Sequence, residues 1–232
     1  LLLRKRDLLA RDYGLTFQVN GITTGRHGRA IDPAGLNLAR AVEVLESGGN
    51  LDVLSAQPAP ADTLEFIRAC PADVLFENTP VNHHTGQPAI DYLRAGLEAG
   101  MHAVTANKGP VVHGYDLLTR LAAEKGRRFL FESSVMDGAP IFSLFRGPLP
   151  AAELRGFVGI LNSCTNLLLE LMEQGSSFDE AVAYGKSIGI TETDPSADID
   201  GWENAELLLT NLPAPEGLQL APWQAVVYRR TL

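Results

Sequence analysis

Short apolar runs recur along the first 130 residues, and each is separated from the next by a stretch with helical spacing. The runs are 16–22 (TFQVNGI), 73–77 (DVLFE), 102–106 (HAVTA) and 128–132 (RRFLFE without its first arginine). Residues 37–47, 63–70, 87–99 and 115–125 carry apolar side chains at three- and four-residue intervals, the spacing of a one-sided helix. Gly48-Gly49 and Gly100 stand where two of these helices should stop. The opening residues LLLRKRDLLARDYG read as the end of an amphipathic helix stopping at Gly14. Arg4, Lys5, Arg6 and Asp7 interrupt any continuous apolar segment of a signal peptide. Strands alternating with helices imply βαβ units and a parallel sheet, whose right-handed crossovers lead to a doubly wound α/β fold. Ligands in such folds bind beyond the carboxyl ends of the strands. Here those ends are Thr23-Thr24, Asn78-Thr79-Pro80 and Thr105 to Lys108.

The pattern changes near residue 140. A strand is expected at 154–161, helices at 165–174 and 178–188, and an acidic loop, ETDPSADIDG, at 192–201. We therefore expect an incomplete dinucleotide-binding region at 1–138, an α+β substrate region at 139–212, and a Pro-rich, weakly patterned tail at 213–232.

Charge narrows the partners. A formal net charge of −9 argues against nucleic acid, because phosphate backbones need clustered Lys and Arg. No apolar run is long enough to span a bilayer, so no membrane partner is expected. Two cysteines, Cys70 and Cys164, are too few for a disulfide framework and fit a reducing cytoplasm.

Lys108 follows a strand and precedes Gly109-Pro110. An ammonium there could hold an anion or pass a proton to a developing alkoxide, and a surface lysine in a turn is the equal alternative. The acidic loop holds Glu192, Asp194, Asp198 and Asp200, with Glu203 just beyond. It could bind an ammonium or a cation, but it lacks the spacing of a calcium-binding loop, and a solvated loop capping the next helix is the simpler reading. Arg26 and Arg29 lie where a dinucleotide fold reads the ribose, and no acid occupies 23–29. A guanidinium there suits a 2′-phosphate. His83 and His84 are adjacent, which is poor geometry for one metal, and they read as loop residues. Cys164 opens a helix but has no histidine near it in sequence, so a small buried residue is the simpler reading.

Taken together, four segments resemble the homoserine dehydrogenase family: ENTPVNHHTGQPAIDYLRAGLEAGMHAVTANKGPV, FLFESSVMDGAPI, GILNSCTNLLLELM and GITETDPSADIDGW. The resemblance implies reversible reduction of L-aspartate 4-semialdehyde to L-homoserine. NADP(H) is the expected cofactor, with NAD(H) the alternative, and the intact protein is expected to be a cytoplasmic homodimer. It implies catalytic roles for Lys108 and Glu203, and substrate contacts from Glu192, Asp198, Ser163 and Cys164. It also implies cofactor contacts from Thr24, Arg26, Asn78, Thr79, Pro80, Asn107 and Lys108. A sodium ion is implied at Glu132, Val135, Asp137 and Ala139, bound mainly by backbone carbonyls.

The sequence departs from the family pattern in three ways. The family's first strand and glycine-rich turn are expected to be absent, because the chain opens inside the first helix. The family's aspartate and lysine after DIDGW appear as Glu203 and Leu207. A substrate-contacting threonine appears as Cys164. These departures predict weak dehydrogenase activity, and they keep open an inactive relative that binds a ligand or partner.

Overall fold

In the computed structural model the described residues are 2–58, 60–135, 138–153, 163–190, 205–210 and 226–230. Two units are present, Leu1–Ala139 and Pro140–Leu232.

The first unit begins with α1 (Leu2–Tyr13), which ends at Gly14 with φ +62°. Next come β1 (Gly21–Thr23) and β2 (Arg29–Ile31). This differs from the expected seven-residue strand at 16–22. β1 is three residues long, and it pairs antiparallel with β2, Thr23 opposite Arg29. The reason lies in the loop. Thr24 N–H donates to Gly28 O at 3.1 Å, and Thr24 Oγ1 accepts from His27 N–H at 2.7 Å. Gly28 sits at φ +74°, a conformation that glycine adopts without steric cost. The loop therefore turns the chain back on itself at once.

α2 (Leu38–Glu46) is capped by Asn37, whose side chain accepts from Arg40 N–H. A 3₁₀ turn spans Leu51–Leu54. In α3 (Thr63–Ala69), Asp62 accepts from Glu65 N–H, while Glu65 reaches back to Ala61 N–H, so two otherwise orphaned donors are satisfied.

Then β3 (Val74–Glu77), α4 (Ala89–Glu98), β4 (His102–Thr105), α5 (Lys108–His113), α6 (Tyr115–Glu124) and β5 (Phe129–Leu130) follow. The three strands form a parallel sheet in the order β3-β4-β5. This bears out the α/β Rossmann-type expectation. Helices α4 and α6 touch each other and the sheet, so they share one face of it. Gly96 lets α4 approach closely: a Cβ there would stand 2.7 Å from the Leu75 side chain. On the opposite face Val74, Phe76 and Leu130 are exposed.

Ile31, Phe66, Ile67, Cys70, Ala95 and Met101 form one buried cluster, which locks the hairpin to α3 and α4. Each large apolar side chain buried there contributes about 1.5–3 kcal/mol relative to exposure.

Helix α5 was not expected, because Gly109-Pro110 reads as a turn. Proline is nevertheless tolerated in a first helical turn, where its missing N–H has no partner to lose. A 3₁₀ turn, Glu132–Ser134, closes the unit.

The second unit contains α7 (Ile141–Arg146), α8 (Ser163–Glu173) and α9 (Phe178–Ser187). Strands β6 (Ala205–Thr210) and β7 (Val226–Arg230) pair antiparallel. The tail read as weakly patterned therefore contains a strand, carried by the β-favouring run Val226-Val227-Tyr228. The strand expected at 154–161 lies outside the described residues. No helix among the described residues is long and apolar enough to cross a membrane.

Candidate active site

β3 and β4 run parallel and in register, with Glu77 opposite Thr105. Their carboxyl ends therefore open on the same side of the sheet. Asn78 and Pro80 are exposed there, and Thr79 is half-buried. Asn107 follows β4 and is only 6% exposed. Its side-chain carbonyl caps α5 by accepting from Gly109 N–H at 3.0 Å, and its amide donates to the Thr79 carbonyl at 3.2 Å. One side chain thus ties the two strand-end loops together. Lys108 is the next residue, exposed in the first turn of α5. A cation at a helix N-terminus opposes the helix dipole by roughly 0.3–1 kcal/mol, so helix stability does not explain a lysine there.

Two glycines set the spacing. Gly86 lies in the loop after β3 at φ +68°, and its added Cβ would meet Gly109 O at 2.7 Å. A Cβ on Gly109 would stand 2.9 Å from the Gly86 Cα and 3.0 Å from Asn82 O. The β3–α4 loop therefore rests directly on the first turn of α5, and only glycine at both positions permits it. Asn82 shapes that loop by accepting from His84 and Thr85 N–H.

Beneath the loops lies a residue that the sequence reading passed over. Glu77 is 3% exposed. One carboxylate oxygen accepts from Thr79 N–H at 2.7 Å and from Thr79 Oγ1 at 2.5 Å. The other accepts from Thr105 Oγ1 at 2.7 Å, and Thr105 Oγ1 in turn accepts from Asn107 N–H at 2.9 Å. The available signal was an acid ending an apolar strand, where a buried carboxylate must find partners.

Thr24 and Arg26 belong to the β1–β2 loop rather than to the end of a parallel strand. Thr24 closes the loop, and Arg26 is exposed at its tip. Beside them, the cross-strand pair Thr23 and Arg29 holds two buried polar atoms, Thr23 Oγ1 and Arg29 Nε, with no hydrogen-bond partner among the described residues. Arg29 does donate through another nitrogen to Pro60 O, and its backbone N–H to Asp52. Buried donors without partners are costly, and their presence fits a ligand bearing hydroxyl or anionic oxygens.

Glu132 opens the 3₁₀ turn and Val135 follows in an extended conformation. Ala139 ends the first unit, and Asp137 lies outside the described residues. No cluster of three or more His, Cys, Asp or Glu occurs among the described residues. A carbonyl-lined loop suited to a hard monovalent ion needs no such cluster. In the second unit Ser163 opens α8, and Cys164 is 4% exposed among Leu168 and Ala181. Leu207 pairs with Tyr228 across β6 and β7. Glu192, Asp198 and Glu203 lie outside the described residues.

Comparison with known proteins points to homoserine dehydrogenases. The homoserine dehydrogenase family profile matches residues 140–212. A homoserine dehydrogenase of Methanocaldococcus jannaschii is 38% identical over 202 residues, covering 87% of this chain and 60% of that protein. An NAD(+)-dependent homoserine dehydrogenase of Pseudomonas canavaninivorans is 36% identical over 193 residues, covering 83% and 54% respectively. The chain thus spans little more than half the length of these relatives. The solved structure of a hyperthermophilic archaeal homoserine dehydrogenase in complex with NADPH is similar in fold, with TM-score 0.69 and 30% identity. That similarity covers 84% of this chain and 60% of the archaeal one. Over residues 140–212 the chain matches the homoserine dehydrogenase family profile, and most of its length is similar to a part of these homoserine dehydrogenases.

Proposed function

We propose that the chain carries the strand-end half of a homoserine dehydrogenase site, interconverting L-aspartate 4-semialdehyde and L-homoserine with NADP(H). The observation that carries this reading is that the strand-end segments holding Thr79 and Asn107-Lys108 lie side by side, joined by the Asn107–Thr79 hydrogen bond. The nicotinamide, when bound, supplies the hydride to the aldehyde carbon. Asn78, Thr79 and Pro80 would line its place, with Asn107 fixing the floor. Lys108 would present its ammonium to the aldehyde oxygen, first polarising it and then giving it a proton as the alcohol forms. Glu192 and Asp198 would hold the substrate's amino group, and Glu203 would take the catalytic part of the family's aspartate. Arg26, with Arg29 behind it, would receive a 2′-phosphate, which favours NADP(H) over NAD(H). A sodium ion would sit on the carbonyls around Glu132, Val135, Asp137 and Ala139. A homodimer and a cytoplasmic location belong to the same reading, checked by sedimentation and by cell fractionation.

The test is turnover of aspartate semialdehyde with NADPH, followed by loss of NADPH absorbance. Lys108→Ala should lower kcat by roughly 10²–10⁴-fold, the usual contribution of a positioned acid or base. Unchanged turnover in that variant would remove Lys108 from the mechanism. A chain that binds NADPH but never turns over would favour the inactive relative, a reading that Leu207 supports.

A further inference from the structure

We propose that Glu77 is a positioning residue for the cofactor edge of the site. It acts through Thr79 on one side and through Thr105 and Asn107 on the other. The proposal rests on the dehydrogenase reading above.

The geometry supports a tie rather than a local cap. Glu77 ends β3, and its two oxygens serve different strands: one takes both donors of Thr79, the other takes the Thr105 hydroxyl 28 residues away. Thr105 is 2% exposed and passes the constraint on by accepting from Asn107 N–H. Asn107 returns it by donating to Thr79 O and by capping the helix that begins with Lys108. The result is a closed loop of hydrogen bonds that includes both strand-end segments.

Nothing in that loop depends on a ligand, so the crevice edge is set before any ligand arrives. Pre-set geometry matters here because misplacement of the reacting atoms by about 1 Å can cost 10²-fold in rate. The carboxylate is suited to the task. Buried, it accepts three hydrogen bonds, and hydrogen bonds to an ionised acceptor are about twice as strong as neutral ones.

Substitution separates shape from tie. Glu77→Gln can keep the oxygen facing Thr79 and turn its amide to the Thr105 hydroxyl, which has a second lone pair to accept it. Glu77→Ala removes both arms. Thr105→Val keeps the volume, leaves the Thr79 arm, and removes the arm towards β4 together with the acceptor of Asn107 N–H. It serves as the second variant if Glu77→Ala does not fold.

The experiment measures backbone amide exchange at 78–82 and 106–109, NADPH affinity by fluorescence titration, and turnover, in the parent and the three variants. Glu77→Ala should speed exchange in both segments together, weaken NADPH binding by roughly tenfold and raise the NADPH KM more than it lowers kcat. Glu77→Gln should recover most of each loss, and Thr105→Val should speed exchange at 106–109 more than at 78–82. The proposal is overturned if folded Glu77→Ala or Thr105→Val leaves exchange at 106–109 and NADPH affinity at parent values. It is also overturned if Glu77→Gln is as impaired as Glu77→Ala. A parent chain that neither binds NADPH nor turns over brings down the dehydrogenase reading and this role with it. A parent that binds beside a Glu77→Ala variant that binds equally well brings down this role alone.

Discussion

At the scale of single residues, the site is a contrast between committed and open side chains. Both polar ends of the Asn107 amide are engaged, as are both oxygens of Glu77. These residues hold geometry. Arg26 stands exposed at a loop tip, and it is there that cofactor choice can be altered without disturbing the core. Because the group is solvated, its preference should be modest. Arg26→Asp is expected to shift the ratio of NADPH to NADH affinity towards NADH by roughly five- to tenfold, about 1 kcal/mol or slightly more. Paired titrations of the two cofactors measure it, and an identical ratio in parent and variant would place the 2′-phosphate elsewhere.

Among the elements, α9 shows how a local signal becomes a measurable one. Ser177 and Glu180 form a reciprocal cap: Ser177 Oγ accepts from Glu180 N–H, while Glu180 accepts from the Ser177 N–H and hydroxyl. The Ser177 N–H and then its hydroxyl hold the Glu180 carboxyl below the usual carboxylate range. For an acid whose folded value is depressed, the stabilisation is present above the unfolded value, about 4.3, and is lost as pH falls through the folded value. Ser177→Ala should destabilise α9 by about 1 kcal/mol at neutral pH. Amide exchange across Phe178–Ser187 should show this difference at pH 7 and a smaller one well below about pH 4. Equal differences at both pH values would mean that the charge plays no part in the cap.

Over the whole molecule, the proposed sodium loop lies where the first unit ends, with Glu132 opening a 3₁₀ turn and Ala139 as the last residue of that unit. A net charge of −9 makes a bound cation electrostatically welcome, though it does not select the place. An ion that binds only the folded chain raises stability with its concentration as RT ln(1 + [L]/Kd), which reaches about 2.7 kcal/mol at a hundred times Kd. Exchanging sodium for tetramethylammonium at constant ionic strength should therefore lower the thermal midpoint, and Glu132→Gln should reduce that difference. A midpoint indifferent to the cation would leave the loop without its ion.

Much of this architecture could be read along the chain, because the signals for it are local. Helix spacing, with Gly14, Gly48-Gly49 and Gly100 as stops, is encoded within a few residues of where it acts. These signals sufficed to place α2, α3, α4 and α6 to within two residues at each end, and with them the parallel sheet that β3, β4 and β5 form. They also carried the α/β class, and the motifs around Lys108 together with those at 159–201 carried the resemblance to homoserine dehydrogenases. What escaped them depends on partners distant in sequence. The turn at 24–28 is local, but where the hairpin of β1 and β2 packs is bound up with Asn50 and Asp52 beside Gly28 and with Phe66 and Cys70 against Gly21. Helix α5 looks like a turn until Gly86 is seen resting on Gly109. Glu77 looks like a polar strand end until Thr105, 28 residues on, is brought beside it. Capping and periodicity act over one or two turns of chain, whereas burial and close approach are properties of a surface assembled from remote segments, and only the folded chain holds that surface together.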